Sequence, residues 1–289
     1  MLDTLTPRPY QHVAPLHIGS VCRIDKALCA VSGAAPRAVA IKQLVSSERS
    51  NDSALSLFEQ ECQLALRLHH PNLVRTIHIG VQPSGPYLVM ELVRGTTIAQ
   101  MLRTSSHTNT PMPAEVCVSL CCQLLDALAY VHGFCSAGDG YTDLVHGDVS
   151  PSNVLVTGTG CAQLCDFGCT RQRLGPENYW QGKPGYMSPE QIRGEALDPR
   201  SDLFCCAVVL AEMLIARPLF RRSTRRETLV ANVSADLTVL LRRKHMVPAP
   251  VLSILIKALA LRPGQRHDTT TALARELRAI TYSTSPLSE

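Results

Sequence analysis

The chain has 289 residues, of which 45% are apolar, and a formal net charge of +4. This length suits one large domain or two small ones, and the composition is that of a protein with a substantial buried core. So small a charge on so long a chain excludes a bulk electrostatic attraction to nucleic acid or to a membrane surface, and we expect no nucleic-acid partner.

The first third of the chain predicts mainly strands around one helix. Residues 37–44 alternate between apolar and other side chains, which predicts a strand. Residues 52–68 repeat apolar side chains along one helical face, and Pro71 ends that helix. Two further strands and the turn between them are expected at residues 73–79, 87–93 and 83–86.

From about residue 94 the pattern becomes mainly helical. Helices are expected at residues 113–131, 202–215, 248–260 and 269–280. The segment 202–215 is apolar on nearly all sides, as in a helix buried at the centre of a domain. Shorter features are two strands, a glycine-containing interruption and a disordered tail, expected at residues 154–156, 162–164, 133–140 and 282–289. The order predicts an α+β fold with lobes at about 12–93 and 94–281 and a hinge near 91–95.

The ends and the cysteines predict a cytoplasmic protein. The longest apolar runs, residues 203–211 and 251–261, fall short of the roughly 20 residues of a membrane-spanning helix, so no membrane span is expected. The first ten residues contain Asp3, two prolines and no apolar core, which predicts no secretory signal. The twelve cysteines include no Cys-x-x-Cys pair and are expected to be free thiols rather than disulfides or metal ligands.

Four short motifs carry the residues that phosphoryl transfer from ATP requires. That reaction needs cations near the phosphates, a carboxylate for the metal ion and a second carboxylate to orient the attacking hydroxyl. Residues 39–42 read VAIK, residues 145–153 read VHGDVSPSN, and DFG follows at residues 166–168, thirteen positions after Asn153. Residues 186–190 read YMSPE.

In this order and at these spacings, the motifs resemble the protein-kinase family over residues 18–280. The resemblance implies a two-lobed fold with a β-rich N-lobe that contains one main helix and a mainly helical C-lobe. It implies that Asp148 accepts or orients the proton of the substrate hydroxyl. It also implies that Asn153 and Asp166 bind magnesium, with manganese as an alternative, and that Lys42 contacts the α- and β-phosphates.

The resemblance also implies an ion pair between Lys42 and a glutamate of the next helix. Glu61 and Glu59 are the two candidates, and Glu61 is preferred because it borders the apolar face that contains Phe58 and Cys62. The further residues implied in ATP binding are Ile18, Gly19, Ala40, Met90, Glu91, Val93 and Leu155.

Two structural contacts are implied in the same way. Glu190 of YMSPE is expected to pair with Arg266, and Asp202 is expected to brace the catalytic loop, which the resemblance places at residues 145–153. These contacts concern the fold rather than the activity.

The chain departs from the family pattern at three places. The glycine-rich loop keeps only Gly19 of the usual three glycines, which predicts a weaker grip on the phosphates. Gly147 replaces the arginine that receives an activation-loop phosphate, so activity independent of phosphorylation at Thr170 or Tyr179 is predicted. Ser150 replaces a lysine, and we hypothesise that Lys183 supplies the missing ammonium beside Asp148; a solvated loop lysine is the alternative.

Three functions remain open at this point. The first is an ATP- and Mg²⁺-dependent protein kinase that acts on serine or threonine of protein substrates, since the DVSPxN loop and the Gly-Lys before YMSPE resemble a bacterial branch of the Ser/Thr kinases. The second is a pseudokinase scaffold with weak or no catalysis, and the third, a more distant one, is a small-molecule phosphotransferase. The arginines between Arg217 and Arg226 form either an acidic-partner docking site or a solvated face.

Overall fold

The computed structural model describes residues 10–31, 34–108, 110–134, 144–172 and 182–283. The chain forms two compact units, Met1–Arg94 and Gly95–Glu289. Most of the predicted interruption at 133–140 and of the predicted tail at 282–289 lies outside the described residues, as does Tyr179.

Unit 1 is a five-stranded antiparallel sheet with one helix. The strand order is β1-β2-β3-β5-β4, so the middle strand β3 pairs with both β2 and β5. The helix α1 begins after Asn51, whose side chain accepts a hydrogen bond from the Ala54 N–H. The elements are β1 Tyr10–Ile18, β2 Cys22–Val31, β3 Ala34–Leu44, α1 Asp52–Arg67, β4 Thr76–Gln82 and β5 Gly85–Glu91.

The prediction for unit 1 misplaced the bounds of three strands and missed two others. The strand expected at 37–44 begins at Ala34. The strand expected from residue 73 begins at Thr76, because Leu73 closes a turn by donating its N–H to His70 O. The strand expected at 87–93 runs from Gly85 to Glu91. Strands β1 and β2 were not predicted, since β1 is almost entirely exposed and shows no apolar alternation.

Unit 2 is mainly helical, with two small sheets. Strands β6, β8 and β9 form one antiparallel sheet, and β7 pairs with β10. The helices are α2 Ile98–Thr108, α3 Ala114–His132, α4 Pro189–Arg193, α5 Pro199–Ile215, α6 Arg225–Val233, α7 Thr238–Arg242, α8 Ala249–Ala258 and α9 Thr270–Ser283. The strands are β6 Gly95–Thr97, β7 Leu144–Val145, β8 Val154–Thr157, β9 Ala162–Leu164 and β10 Arg171–Gln172.

The core of unit 2 is built around α5. Every residue of this helix from Ser201 to Ile215 is buried, as its apolar sequence predicts. Phe204 of α5 stacks on Phe220 with ring centroids 5.8 Å apart. The helix α9 extends to Ser283, so residues 282 and 283 of the predicted tail are helical.

One apolar helix was overlooked in the expectation of no membrane span. By length and composition alone, α3, with 19 residues, is long and apolar enough to cross a membrane. Ten of its side chains are buried within unit 2, where the helix packs against α5 and α9. The core helix of a folded domain is often as long and as apolar, so the length and composition of α3 are weak evidence for a membrane location.

Candidate active site

The lysine of the VAIK motif pairs with a glutamate of the following helix. Lys42 lies on β3, and its Nζ donates to Glu61 Oε1 of α1 over 2.5 Å. Both side chains are buried in unit 1. Glu61 is buried because it lies on the apolar face of α1 beside Phe58 and Cys62. The alternative partner, Glu59, is exposed. The structure therefore selects Glu61, and removing one partner from such a buried pair costs about 3–5 kcal/mol.

The residues of unit 1 predicted to surround adenine lie on or just after its sheet. Ala40 and Met90 are neighbours across β3 and β5, and both are buried. Glu91 ends β5, and its backbone N–H donates to Arg75 O over 3.0 Å. Because that N–H already has an acceptor, the predicted contact of Glu91 with adenine would involve the Glu91 carbonyl. Val93 follows β5 in a segment without regular structure.

The end of β1 and the turn after it carry two further residues predicted to bind nucleotide. Ile18 is 67% exposed, and Gly19 closes the turn by donating its N–H to Cys22 O over 2.9 Å. A Cβ at position 19 would lie 3.0 Å from that oxygen, so a glycine suits this tight turn. Leu155, the remaining predicted adenine contact, belongs to unit 2 and is half-buried on β8.

The segment 144–153, which contains the predicted catalytic loop, is anchored to α5 by one carboxylate. Asp202 accepts hydrogen bonds from the backbone N–H of His146 (2.8 Å) and of Gly147 (2.9 Å), and it lies 2.7 Å from His132 Nε2. Burial by itself would raise the pKa of Asp202, but the hydrogen bonds from His132 and the Gly147 N–H outweigh burial and lower that pKa. The carboxylate is therefore charged and holds the loop backbone, which confirms the predicted bracing contact.

The loop is shaped for a residue without a side chain at position 147. Gly147 has a φ of +78°, a conformation that other residues rarely adopt. A Cβ there would lie 2.9 Å from Cys169 O. The Gly147 carbonyl accepts a hydrogen bond from Gln191 Nε2 over 2.7 Å, so α4 holds the same residue through its other backbone group.

The residues predicted to act on the substrate hydroxyl form one polar cluster, the Asp148 cluster, made of Asp148, Ser150, Asn153 and Lys183. Asn153 Nδ2 donates to Asp148 Oδ2 over 2.7 Å and to the Asp148 carbonyl over 2.9 Å. Lys183 Nζ donates to Asp148 Oδ2 (2.9 Å), to Asn153 Oδ1 (2.7 Å) and to Ser150 Oγ (3.2 Å). Asp148 Oδ1 is buried and has no donor in the described part of the chain.

Asn153 and Asp166, the predicted metal ligands, lie at the same end of the hairpin formed by β8 and β9. The backbone N–H of Cys165 donates to Asn153 O over 2.9 Å, so Asp166 follows directly on the residue that contacts Asn153. Asp166 has a φ of +71°, a strained conformation for a residue other than glycine.

An amide oxygen and a carboxylate fit a magnesium ion that arrives with a nucleotide. Mg²⁺ is usually held by one or two carboxylates together with phosphates and water. Among the described residues, no group of three or more His, Cys, Asp or Glu side chains forms a metal site of its own. Asn153 and Asp166 would hold such an ion, and the ion would neutralise part of the negative charge of the phosphates.

His146 connects the catalytic loop to the DFG motif. Its ring packs edge-on against Phe167, with centroids 5.3 Å apart. Burial lowers the pKa of His146, although the carboxylates of Asp202 and Asp148 oppose the change. The neutral ring accepts a hydrogen bond at Nδ1 from the Asp148 N–H over 3.3 Å, which orients the peptide that carries the predicted catalytic carboxylate.

The YMSPE segment is fixed by a buried ion pair. Arg266 donates to both carboxylate oxygens of Glu190, over 2.7 and 2.9 Å, and the Ser201 hydroxyl donates to the first of them. Burial would raise the pKa of Glu190, but these hydrogen bonds lower it. The predicted pairing of Glu190 with Arg266 is confirmed, and it holds the beginning of α4.

Two contacts of this segment were not predicted. Gln191 reaches Gly147 across 44 positions of sequence, and the Tyr186 hydroxyl donates to Glu212 Oε2, 26 positions away, over 2.9 Å. Burial raises the pKa of Glu212 to about 7, although the Leu219 N–H and the Tyr186 hydroxyl both donate to it. Neither contact belongs to a repeating pattern or to the contacts that the family resemblance implies, so the sequence did not indicate them.

Comparisons with known proteins agree with this arrangement. The model of the protein kinase domain matches residues 18–277. The chain is 29% identical over 276 residues to the tyrosine-protein kinase MasK of Myxococcus xanthus, which covers 94% of this chain and 43% of MasK. It is 30% identical over 252 residues to the serine/threonine-protein kinase PknB of Mycobacterium leprae, with 84% and 38% covered.

A third relative is the serine/threonine-protein kinase PrkC of Bacillus subtilis, which is 28% identical over 246 residues, with 84% of this chain and 36% of PrkC covered. The chain thus spans about two fifths of the length of these curated relatives.

Proposed function

The chain belongs to the protein kinase family, whose activity uses ATP and a divalent metal ion, and on that premise we propose that it phosphorylates serine or threonine side chains of other proteins. The Asp148 cluster carries this proposal. It joins an acceptor for a hydroxyl proton, an oxygen ligand for a cation and a fixed ammonium group within hydrogen-bonding distance of one another. Phosphoryl transfer depends mainly on such positioning and on charge stabilisation.

Asp148 is the group that would receive the substrate hydroxyl. One of its carboxylate oxygens, Oδ2, already accepts from Asn153 and Lys183, which fixes the orientation of the side chain. The other oxygen, Oδ1, lacks a donor among the described residues, and a buried acceptor without a donor is costly unless a ligand supplies one. A substrate hydroxyl is such a donor, and the proton of that hydroxyl would pass to Oδ1.

Lys183 would supply the positive charge that the family usually places at position 150. Its ammonium donates to Ser150 Oγ, so the serine that replaces the usual lysine itself contacts the substitute. The backbone of Lys183 is held by a turn in which its carbonyl accepts from the Tyr186 N–H over 3.0 Å. These contacts support compensation over a freely solvated lysine.

The choice of serine or threonine as acceptor rests on likeness. The PknB and PrkC relatives are named serine/threonine kinases, whereas MasK is named a tyrosine kinase at a similar identity. The DVSPxN form of the catalytic loop favours the first group. Acid hydrolysis of the phosphorylated product, followed by separation of phosphoserine, phosphothreonine and phosphotyrosine, decides between them.

The test of the proposed activity is transfer of labelled phosphate from ATP, with Mg²⁺ or Mn²⁺, to the chain itself and to a generic basic protein. Asp148→Asn should abolish incorporation, and Lys183→Ala should reduce turnover roughly 100-fold, the scale of losing one transition-state donor. Asp268→Asn is the matched control, because Asp268 is exposed in unit 2 and pairs only with Arg200 among the described residues.

A pseudokinase scaffold is the alternative function. In that case neither the wild type nor the Asp148→Asn variant would transfer phosphate, and addition of ATP would still shift the melting temperature of the chain. The intact set of Lys42, Asp148, Asn153 and Asp166 speaks against it, since a fold used only for binding needs no such set. The glycine-poor turn at Gly19 and the glycine at position 147 are the features in its favour.

We also propose that a groove in unit 2 docks an acidic segment of a substrate protein. Part of the predicted arginine cluster borders a groove of about 480 Å³ between α4 and α6, lined by Ile192, Arg225, Arg226, Leu229, Val230 and Val233. Val230 is 57% exposed, and neither Arg225 nor Arg226 has an acidic partner in the described ranges. By contrast, Arg222 is committed to Asp236. Apolar lining with two uncommitted guanidinium groups fits an apolar side chain flanked by Asp or Glu.

Charge reversal tests this docking surface. The pair Arg225→Glu and Arg226→Glu should raise KM about tenfold for a substrate that carries the acidic segment, and leave KM unchanged for a short peptide without it. Arg242→Glu with Lys244→Glu is the matched control, because both side chains are exposed elsewhere on unit 2. An equal rise of KM for both substrates, or none for either, would contradict the docking role.

A further inference from the structure

The ammonium of Lys183 lies in a ring of oxygen atoms that resembles a small cation site. Its three acceptors are a carboxylate, an amide oxygen and a hydroxyl, at 2.9, 2.7 and 3.2 Å. Each of these is an oxygen ligand of the kind that Mg²⁺ prefers. The ammonium therefore already provides a positive charge at the place where the proposed function requires a metal ion.

The shortest of the three contacts is to the proposed metal ligand. Lys183 Nζ lies 2.7 Å from Asn153 Oδ1. The orientation of the amide is not arbitrary, because both N–H groups of Asn153 Nδ2 are committed to Asp148, one to its carbonyl and one to Oδ2. The amide oxygen must therefore face Lys183, and Asn153 is only 5% exposed.

An ammonium and a divalent cation cannot share this oxygen without strong repulsion. The oxygen has two lone pairs and could serve both cations in principle. Two positive charges within about 4 Å of each other repel, and this repulsion is large in a partly buried site where water screens poorly. One of the two cations must leave the oxygen when the other binds.

We propose that Lys183 occupies the Asn153 oxygen in the absence of metal, and that a divalent cation binds there in exchange for the ammonium. Lys183 keeps Asp148 and Ser150 as acceptors after the exchange, so it remains beside the catalytic carboxylate. Metal binding thus turns the ammonium from Asn153 toward Asp148, and the metal affinity is set partly by this competition. The inference rests on the proposed function, since it takes Asn153 as a metal ligand.

The exchange predicts that removing the lysine charge tightens metal binding. Mn²⁺ binding to the full chain with a non-hydrolysable ATP analogue is measured by electron paramagnetic resonance, in wild type and in Lys183→Met. The variant should bind Mn²⁺ about tenfold more tightly, although its turnover falls. Lys183→Gln, which keeps a hydrogen-bonding side chain without the charge, should tighten binding to a similar degree and guards against a folding defect in the first variant.

Two further variants locate the effect. Lys257→Met removes a half-exposed lysine that pairs with Glu276, and it should leave Mn²⁺ affinity unchanged. In an Asn153→Ala background, Lys183→Met should no longer tighten binding, because the contested oxygen is gone. Tightening that persists in that background would overturn the exchange, since the ammonium would then act only through its general field.

The outcomes separate this inference from the proposed function. A wild type that binds no Mn²⁺ with the nucleotide analogue and transfers no phosphate would reject the proposed function itself. A wild type that binds Mn²⁺ and is active, with Lys183→Met equal or weaker in Mn²⁺ affinity, would overturn the exchange alone.

Discussion

The catalytic loop and the turn between β1 and β2 both belong to the expected phosphoryl-transfer machinery, but the structure holds them very differently. Residues 144–151 of the loop are buried, and backbone groups of the loop are bonded by Asp202 and Gln191. Residues 19–21 of the turn are largely exposed, and hydrogen bonds from Gly19 N–H to Cys22 O and from Val45 N–H to Val21 O hold them.

The difference separates two questions about activity. The groups proposed to handle the hydroxyl proton are fixed by a network of hydrogen bonds to which several residues contribute. The turn that would cover the phosphates is held by two backbone hydrogen bonds and keeps one of the usual three glycines. Loss of glycines should therefore weaken the binding of nucleotide and leave the proton chemistry intact.

The largest expected effect comes from Asp202→Asn, which removes the carboxylate that anchors the loop. In the variant, the amide NH2 group would point at the backbone N–H of His146 or of Gly147. That buried N–H would then have lost its acceptor. We expect the free energy of unfolding to fall by about 3–5 kcal/mol and turnover to fall more than 100-fold. Urea denaturation and labelled-phosphate transfer measure both.

Asp198→Asn is the matched control on the same helix. Asp198 caps α5 by accepting from the Arg200 N–H, and asparagine caps helices equally well. This variant should stay within about 0.5 kcal/mol of wild type. If Asp202→Asn proved as stable as Asp198→Asn, the loop would not depend on its carboxylate anchor.

Gly147→Ala tests whether the loop tolerates a side chain. The new Cβ would meet Cys169 O at 2.9 Å in addition to the strain of a positive φ. Gly194 has a similar φ of +68° with open space around it, so Gly194→Ala measures the strain alone, about 1–2 kcal/mol. We expect Gly147→Ala to cost about 1–3 kcal/mol more and to lower turnover about tenfold. Equal stability of the two variants would show that the contact with Cys169 is relieved cheaply.

The stability of unit 2 should depend on pH through Glu212. Because the pKa in the folded chain is raised to about 7, its stabilising contribution is complete below the unfolded pKa of about 4.3 and is lost as the pH rises through 7. Raising the pH from 5 to 8 should cost the wild type roughly 1–3 kcal/mol, and Glu212→Gln should remove most of that loss. Thermal unfolding of both proteins across this pH range measures it, and parallel curves would exclude Glu212 as the cause.

Gly19→Ala probes the turn, where a smaller effect is expected. The Cβ would lie 3.0 Å from Cys22 O, so the turn must open slightly. KM for ATP should rise a few-fold while kcat stays within a factor of about two, because the catalytic loop is untouched. Gly158→Ala is the control, since nothing lies within 4 Å of a Cβ at that position. A comparable fall in kcat would mean that the two regions are not independent.

The smallest effect is expected from removing the hydroxyl of Thr170. With glycine at position 147, the loop offers no arginine to an activation-loop phosphate, so Thr170→Ala should leave turnover within about twofold of wild type. Among the described residues the Thr170 hydroxyl donates only to His146 O, over 3.5 Å, and this bond is long and weak. The companion variant Tyr179→Phe is expected to behave alike. A large loss of activity in either would restore phosphorylation as a switch.

The sequence predicted the long periodic elements and the motif residues, because both are local properties. The face of α1 follows from the spacing of Phe58 and Cys62, and the same face identified Glu61 as the partner of Lys42. The buried helix α5 follows from its uniform apolar composition. Strand boundaries were less accurate, since a turn such as the one that ends at Leu73 depends on a few short-range hydrogen bonds to His70.

What the sequence determined by itself was the fold class and the candidate residues for phosphoryl transfer. Only the tertiary structure decided how they act together. Lys183 lies 30 positions from Asn153 and 35 from Asp148, yet its ammonium contacts both. Gln191 and Asp202 hold Gly147 from α4 and α5. The reason is physical: hydrogen bonds depend on distance and angle in space, and the backbone between such partners can place them together or apart with the same local sequence.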